Sequence, residues 1–207
     1  PVDTSDIYND DNYDSLAKAA YLDNSDYRKQ RFGIERVELI KRYCNDSPSS
    51  LNLLDIGCGS GYLLACFCKL LEVNKNPSSK VVAIDIYSEL VDLTINNMKK
   101  YGEYLPAHLG GNNSYNNVEI FCGNGWLGHM KHAKYDVIHV GAAPDHVPPQ
   151  LLKQLNNNGI MIIPVGNSYK IIKKNRKGKV FDSHSLNVRF VPLIEKPSKK
   201  KKTDCII

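Results

Sequence analysis

Leu53-Leu54-Asp55-Ile56-Gly57-Cys58-Gly59-Ser60-Gly61-Tyr62 carries the strongest structural signal in the chain. Apolar residues run into an acid and then into glycines at every second position, the pattern of a buried strand that breaks into a tight turn and opens a helix. Glycines there strip side chains from the turn, so a ligand can lie against bare backbone and the free N–H groups of the helix start. The stretch reads as a cradle for a nucleotide-like cofactor.

Beyond the turn, Tyr62 to Leu71 continues as an apolar helix, and the polar segment containing Pro77 returns the chain to Val81-Val82-Ala83-Ile84-Asp85. That completes a β-α-β unit with two parallel strands. Upstream, Ile34, Val37, Leu39, Ile40 and Tyr43 recur at helical spacing. Downstream, the expected elements are a helix from Glu89 to Lys100, strands at Val118 to Phe121 and Tyr135 to Val140, a helix from Pro149 to Leu155, and a strand from Ile160 to Val165. Strands that alternate with helices predict an α/β, doubly wound, Rossmann-like sheet, mostly parallel. Tyr169 to Lys173 and Val188 to Leu193 read as a closing antiparallel pair, with Lys173 to Lys179 as an irregular basic loop. The expected organisation is an N-terminal arm or lid over residues 1–33, rich in Asp, Asn, Ser and Tyr, one domain over 34–195, and a basic, disordered tail over 196–207.

The net charge is +5, but Lys196 and Lys199 to Lys202 supply five positive charges by themselves, which leaves the body near neutral and argues against a nucleic-acid partner. The six cysteines lie mostly in apolar strings, with no zinc-like spacing, so reduced thiols and no metal site are expected. No apolar run approaches the ~20 residues of a membrane span, and no signal peptide is evident. The expectation is a cytoplasmic monomer without a membrane partner. The start at Pro1 reads as a fragment or a processed form.

Asp85 ends the strand next to the glycine turn, where a carboxylate can accept hydrogen bonds from both ribose hydroxyls. Its alternative role is to cap the helix that starts near Ser88. Asp55, two residues before Gly57, suits a cationic ligand and would repel a pyrophosphate, so S-adenosylmethionine is favoured over a dinucleotide. His139 falls at a strand end near the expected reaction site, as a substrate contact or as a hydrogen-bonded structural residue. Trp126 reads equally as a wall of the adenine pocket or as core.

Further strings resemble one family. Ile84-Asp85, Gly123-Asn124-Gly125 with Gly128, Tyr135-Asp136-Val137-Ile138-His139-Val140-Gly141-Ala142-Ala143, Ile163-Pro164-Val165-Gly166 and Phe190-Val191-Pro192-Leu193 together resemble protein-L-isoaspartate O-methyltransferase. The resemblance implies repair of damaged proteins, with a methyl group passing from S-adenosylmethionine to the carboxylate of L-isoaspartyl residues in protein or peptide partners and S-adenosyl-L-homocysteine as product. It places Asp55, Gly57, Gly59 and Gly61 at the methionine end, Asp85 on the ribose, Ile86 beside the adenine, and Asn124 with Gly125 at the adenine edge. Asn124 stands where the family carries Asp; its side-chain carbonyl can still accept a hydrogen bond. No side chain is nominated as catalytic, because a carboxylate is already a nucleophile and transfer to it asks chiefly for orientation.

The family's Thr-Ile-Ser-x-Pro segment has no counterpart in Asp26 to Ile34. Either residues are missing between Gln30 and Arg31, or the chain is a divergent member. An impaired S-adenosylmethionine-binding homologue acting as an adaptor or sensor is therefore the alternative function.

Overall fold

The computed structural model describes residues 34–45, 50–71, 76–100, 117–187 and 190–196. The expected arm, the Gln30 to Arg31 junction and almost all of the tail lie outside them. In chain order the elements are α1 (Ile34–Asn45), β1 (Asn52–Ile56), α2 (Tyr62–Leu70), β2 (Lys80–Asp85), α3 (Ser88–Lys100), β3 (Val118–Cys122), β4 (Tyr135–Val140), α4 (Pro149–Gln154), β5 (Leu155–Val165), β6 (Ser168–Lys174) and β7 (Val180–Asn187).

The strands form one seven-stranded sheet of order β3-β2-β1-β4-β5-β6-β7. β1 to β5 pair in parallel, while β5–β6 and β6–β7 are antiparallel. The doubly wound α/β sheet with an antiparallel end is thus the expected one. Its central strands direct apolar side chains to both faces because both faces are covered. Leu53, Val81, Ala83 and Val137 face Ile40 of α1, Phe67 of α2 and Val91 of α3. The alternate residues Leu54, Val82, Ile84 and Ile138 pack on the other face with Leu151 of α4. At the amino edge, Asp136 accepts from the Asn52 N–H at 2.9 Å and from the Asn156 side chain at 2.9 Å, which ties β1, β4 and β5 together.

The C-terminal pairing differs from the expectation. The second antiparallel strand is Val180–Asn187, and the basic stretch before it closes a hairpin in which the Asn175 side chain accepts from the N–H groups of Lys177 and Lys179. Gly178, at φ 77°, supplies the left-handed residue of that turn. The segment Val191 to Leu193 instead crosses the carboxyl edge of the sheet, where the Ala143 N–H donates to the Val191 carbonyl and the Leu193 N–H to the Ala143 carbonyl. Pro192 has no N–H to offer a sheet ladder, which suits a strap rather than a strand. β5 also begins earlier than expected, at Leu155 opposite Tyr135, with a register shift before Val137 meets Ile160.

Cys58, Cys66 and Cys68 are free thiols. Cys122 is disulfide-bonded, which departs from the expectation of reduced thiols throughout.

Candidate functional site

In a doubly wound sheet the chain leaves neighbouring strands in opposite directions at the switch point, and a crevice opens beyond their carboxyl ends. Here the switch lies between β1 and β4. A cleft opens there, lined by the ends of β1 (Ile56, Gly57), β2 (Asp85, Ile86) and β4 (Gly141, Ala142). Gly59, Gly123 and Gly125 bring bare backbone to it. The Gly57 and Gly141 backbones approach so closely that a methyl group on Gly141 would stand 2.9 Å from the Gly57 carbonyl oxygen.

Asp85 is buried, and its two carboxylate oxygens accept from the Gly59 N–H at 2.9 Å and the Tyr87 N–H at 3.2 Å. It braces both turns and lines the cleft, and its bond to Tyr87 falls just before the helix that starts at Ser88. Burial pushes its acid up to about 6; the backbone N–H donors oppose that rise, and the charge of Asp55 adds a smaller push.

Gly61 does not line the cleft. At φ 79° it caps α2, and a methyl there would meet Thr94 Cγ2 of α3 at 2.9 Å. Its absence of side chain therefore serves the packing of two helices. The Thr94 hydroxyl donates to the Gly59 carbonyl at 2.9 Å, which holds the turn from behind.

Asp55 is likewise beneath the cleft rather than in its wall. β1 and β4 place it directly opposite His139, and its Oδ1 lies 2.7 Å from His139 Nδ1 with each side chain 1% exposed. Asp55 Oδ2 and His139 Nε2 are buried without a hydrogen-bond partner. Burial lowers the basicity of His139, so it is a neutral imidazole whose Nδ1–H donates to the Asp55 carboxylate. The structural alternative weighed for His139 is the one that the geometry bears out: it orients Asp55 and stacks edge-on against Phe67 at 5.4 Å. Burial beside Asp85 and Asp55 also raises the Cys58 thiol, which keeps it protonated and unreactive.

Asn124 does not line the cleft as described. Its Oδ1 accepts from the Trp126 N–H at 2.9 Å and so closes the turn that presents Gly125. Trp126 is neither core nor cleft wall: its indole Nε1–H donates to the Leu193 carbonyl at 3.0 Å and holds the strap down. Gln154 fixes the same loop from α4, donating to the Leu127 carbonyl and accepting from the His129 N–H.

Sequence reasoning missed the strap, from Val191 to Ile194, as a wall of the cleft, together with Tyr87 and Leu90. The one signal for the strap was Pro192 within a run otherwise suited to a strand. Among the described residues no group of three or more His, Cys, Asp or Glu is arranged to hold a metal ion. No described helix is long and apolar enough to cross a membrane.

Residues 37–198 match the family model described as Protein-L-isoaspartate(D-aspartate) O-methyltransferase (PCMT). A Methanococcus vannielii protein named protein-L-isoaspartate O-methyltransferase is 34% identical over 184 residues, which span 87% of this chain and 80% of that protein. A Methanococcoides burtonii protein of the same name is 38% identical over 149 residues, 70% of this chain and 66% of that protein. Among solved structures, a protein-L-isoaspartate O-methyltransferase from Plasmodium falciparum, in complex with S-adenosyl-L-homocysteine, superposes with a TM-score of 0.65 at 25% identity, covering 79% of this chain and 72% of that one. The family match runs from α1 through the strap and takes in every residue that lines the cleft. By its sequence, its sheet and the place of its cleft, the chain belongs to the protein-L-isoaspartate(D-aspartate) O-methyltransferase family.

Proposed function

We propose that this protein transfers a methyl group from S-adenosylmethionine to the carboxylate of L-isoaspartyl residues in damaged proteins and peptides. The observation that carries the reading is the family match over residues 37–198, which encloses the whole cleft. The residues present fit the cofactor. Gly57, Gly59 and Gly125 leave room for its close approach, and Asp85 offers buried carboxylate oxygens to a ribose. Asp55 lies buried beneath the glycine turn, where its carboxylate would act on the methionine ammonium through its charge and not by direct contact. Ile86 lies in the wall for the adenine, and the Asn124 turn presents Gly125 at its edge.

When bound, S-adenosylmethionine supplies a methyl group on a sulfonium, already activated for transfer. That methyl carbon would pass to a carboxylate oxygen, with sulfur keeping the electron pair of the broken carbon–sulfur bond. No proton moves, so no general base is needed. The work left to the chain is to hold, align and exclude water. Tyr87, Leu90 and Ile194 line the cleft with apolar surface, and the Trp126 bond to Leu193 keeps the strap over it.

Incubation with methyl-labelled cofactor should label an isoaspartyl peptide and leave its normal aspartyl twin unlabelled. Equal labelling of both peptides would refute the assignment. Cofactor binding without labelling of either would support the adaptor or sensor reading instead.

A further inference from the structure

We propose that Arg36 binds the ionised acceptor carboxylate of the substrate and so distinguishes it from an uncharged analogue or the methylated product. This rests on the methyltransferase reading above and deepens it.

α1 runs across the sheet from its carboxyl edge to its amino edge. At the amino edge the Tyr43 hydroxyl of its last turn donates to the Asn158 carbonyl near the start of β5. At the other end, the Arg36 guanidinium lies 4.7 Å from the Phe190 ring centroid and 5.6 Å from that of Tyr169. Tyr169 pairs with Pro164, near the end of β5, so the first turn of α1 stands over the same edge as the cleft. Phe190 leads directly into Val191 of the strap that lines the cleft. Arg36 is also close enough to His139, on β4, for its charge to weigh against protonation of that imidazole. β4 in turn ends at Gly141 and Ala142, in the cleft wall.

The two rings stack nearly parallel, 8° apart in plane with centroids separated by 6.0 Å, and they hold the guanidinium in place. Aromatic faces attract a cation without neutralising it. None of the ion pairs among the described residues involves Arg36. A positioned guanidinium at the same edge of the sheet as the cleft thus has no ionic partner in the described fold. The chemistry of the reaction supplies one, because the acceptor is an anion before transfer and a neutral ester afterwards.

Arg36 would donate to one carboxylate oxygen, as its planar fork favours. The other oxygen remains free to form the bond to the methyl carbon while the carbon–sulfur bond breaks and sulfur takes the electron pair. Esterification removes the charge, so the pair with Arg36 weakens and the product leaves.

The test uses the full chain loaded with S-adenosyl-L-homocysteine and two peptides, one isoaspartyl and one identical except for a carboxamide in place of the free carboxylate. Fluorescence anisotropy should show the wild type binding the acid about 10- to 100-fold more tightly than the amide, the range for one charge-assisted hydrogen bond. Arg36→Met should abolish that preference, and Arg36→Lys should restore part of it. Calorimetric affinity for S-adenosyl-L-homocysteine should be the same in all three proteins, which shows that the fold and the cofactor cleft are intact. A wild type that binds acid and amide equally, or an Arg36→Met variant that keeps the preference, overturns the proposal. Methylation of the isoaspartyl peptide with an unchanged KM in Arg36→Met would sink Arg36 alone. An intact acid preference without methylation would sink the methyltransferase reading and leave Arg36 as a carboxylate site.

Discussion

Asp85 should couple cofactor affinity to pH in a direction that its surroundings dictate. It is 6% exposed, and burial raises its acid from 3.8 to about 6, a difference worth about 3 kcal/mol against the charged form. Between those values the folded chain holds the proton more tightly than the unfolded one. The stabilisation from Asp85 is therefore present in full below 3.8 and is lost as pH rises through about 6. A ligand that donates hydroxyl hydrogen bonds to the carboxylate favours the ionised form and lowers the acid again in the complex. With a free-state value of about 6, the ionised fraction rises roughly tenfold between pH 5 and pH 7, and affinity for S-adenosyl-L-homocysteine should rise by about the same factor. Calorimetry across that range measures it. Asp85→Asn, which can still accept from the Gly59 N–H, should bind more weakly and with a flatter pH profile. A flat wild-type profile, or an equal slope in Asp85→Asn, would refute the coupling.

Three further outcomes follow from the packing. His139→Ala leaves the buried Asp55 carboxylate without its donor, which should cost about 3–5 kcal/mol, seen as a clear drop in the thermal midpoint. His139→Gln, which keeps an N–H donor, should lose less; equal midpoints for wild type and His139→Ala would contradict the pairing. Because the folded value of His139 lies below 6.5, acidification through that value protonates the unfolded chain first and removes stability. Urea melts at pH 7.5 and 5.5 should show this loss as a difference between wild type and His139→Gln, a comparison in which the opposing contribution of Asp85 cancels. Gly141→Ala drives a methyl to 2.9 Å from the Gly57 carbonyl oxygen and should cost about 1–3 kcal/mol while weakening S-adenosyl-L-homocysteine binding. Unchanged stability and affinity would mean that the two strand ends separate freely.

The β1–turn–α2 unit was legible because its signals are local. An apolar run marks a strand covered on both faces, and glycines at φ 74°, 56° and 79° are what the turn at Gly57, Gly59 and Gly61 requires. β7 was not legible. Val180–Asn187 is an edge strand with exposed Phe181, Asp182 and Ser183, whereas the more apolar Val188 to Leu193 looked like the strand. The choice between them was made by Ala143, whose N–H and carbonyl take up the backbone of the later segment as a strap. Trp126 and Asn124 were recognisable as members of the site loop, and the Asn124 turn is local, but the Trp126 bond to Leu193 depends on a partner 67 residues away that local sequence does not name.

The quoted stretch with Asp85 determined the strands, the turn and the residue types at the carboxyl edge, since periodicity and glycine placement act over a few residues. It did not determine which of its two acids would line the cleft. Register decided that: Asp55 pairs with Ala83, so Asp85 stands two residues further toward the cleft, and across β4 Asp55 meets His139. Strand pairing joins residues far apart in the chain, and only the folded sheet could turn two similar carboxylates into a cleft wall and a buried anchor.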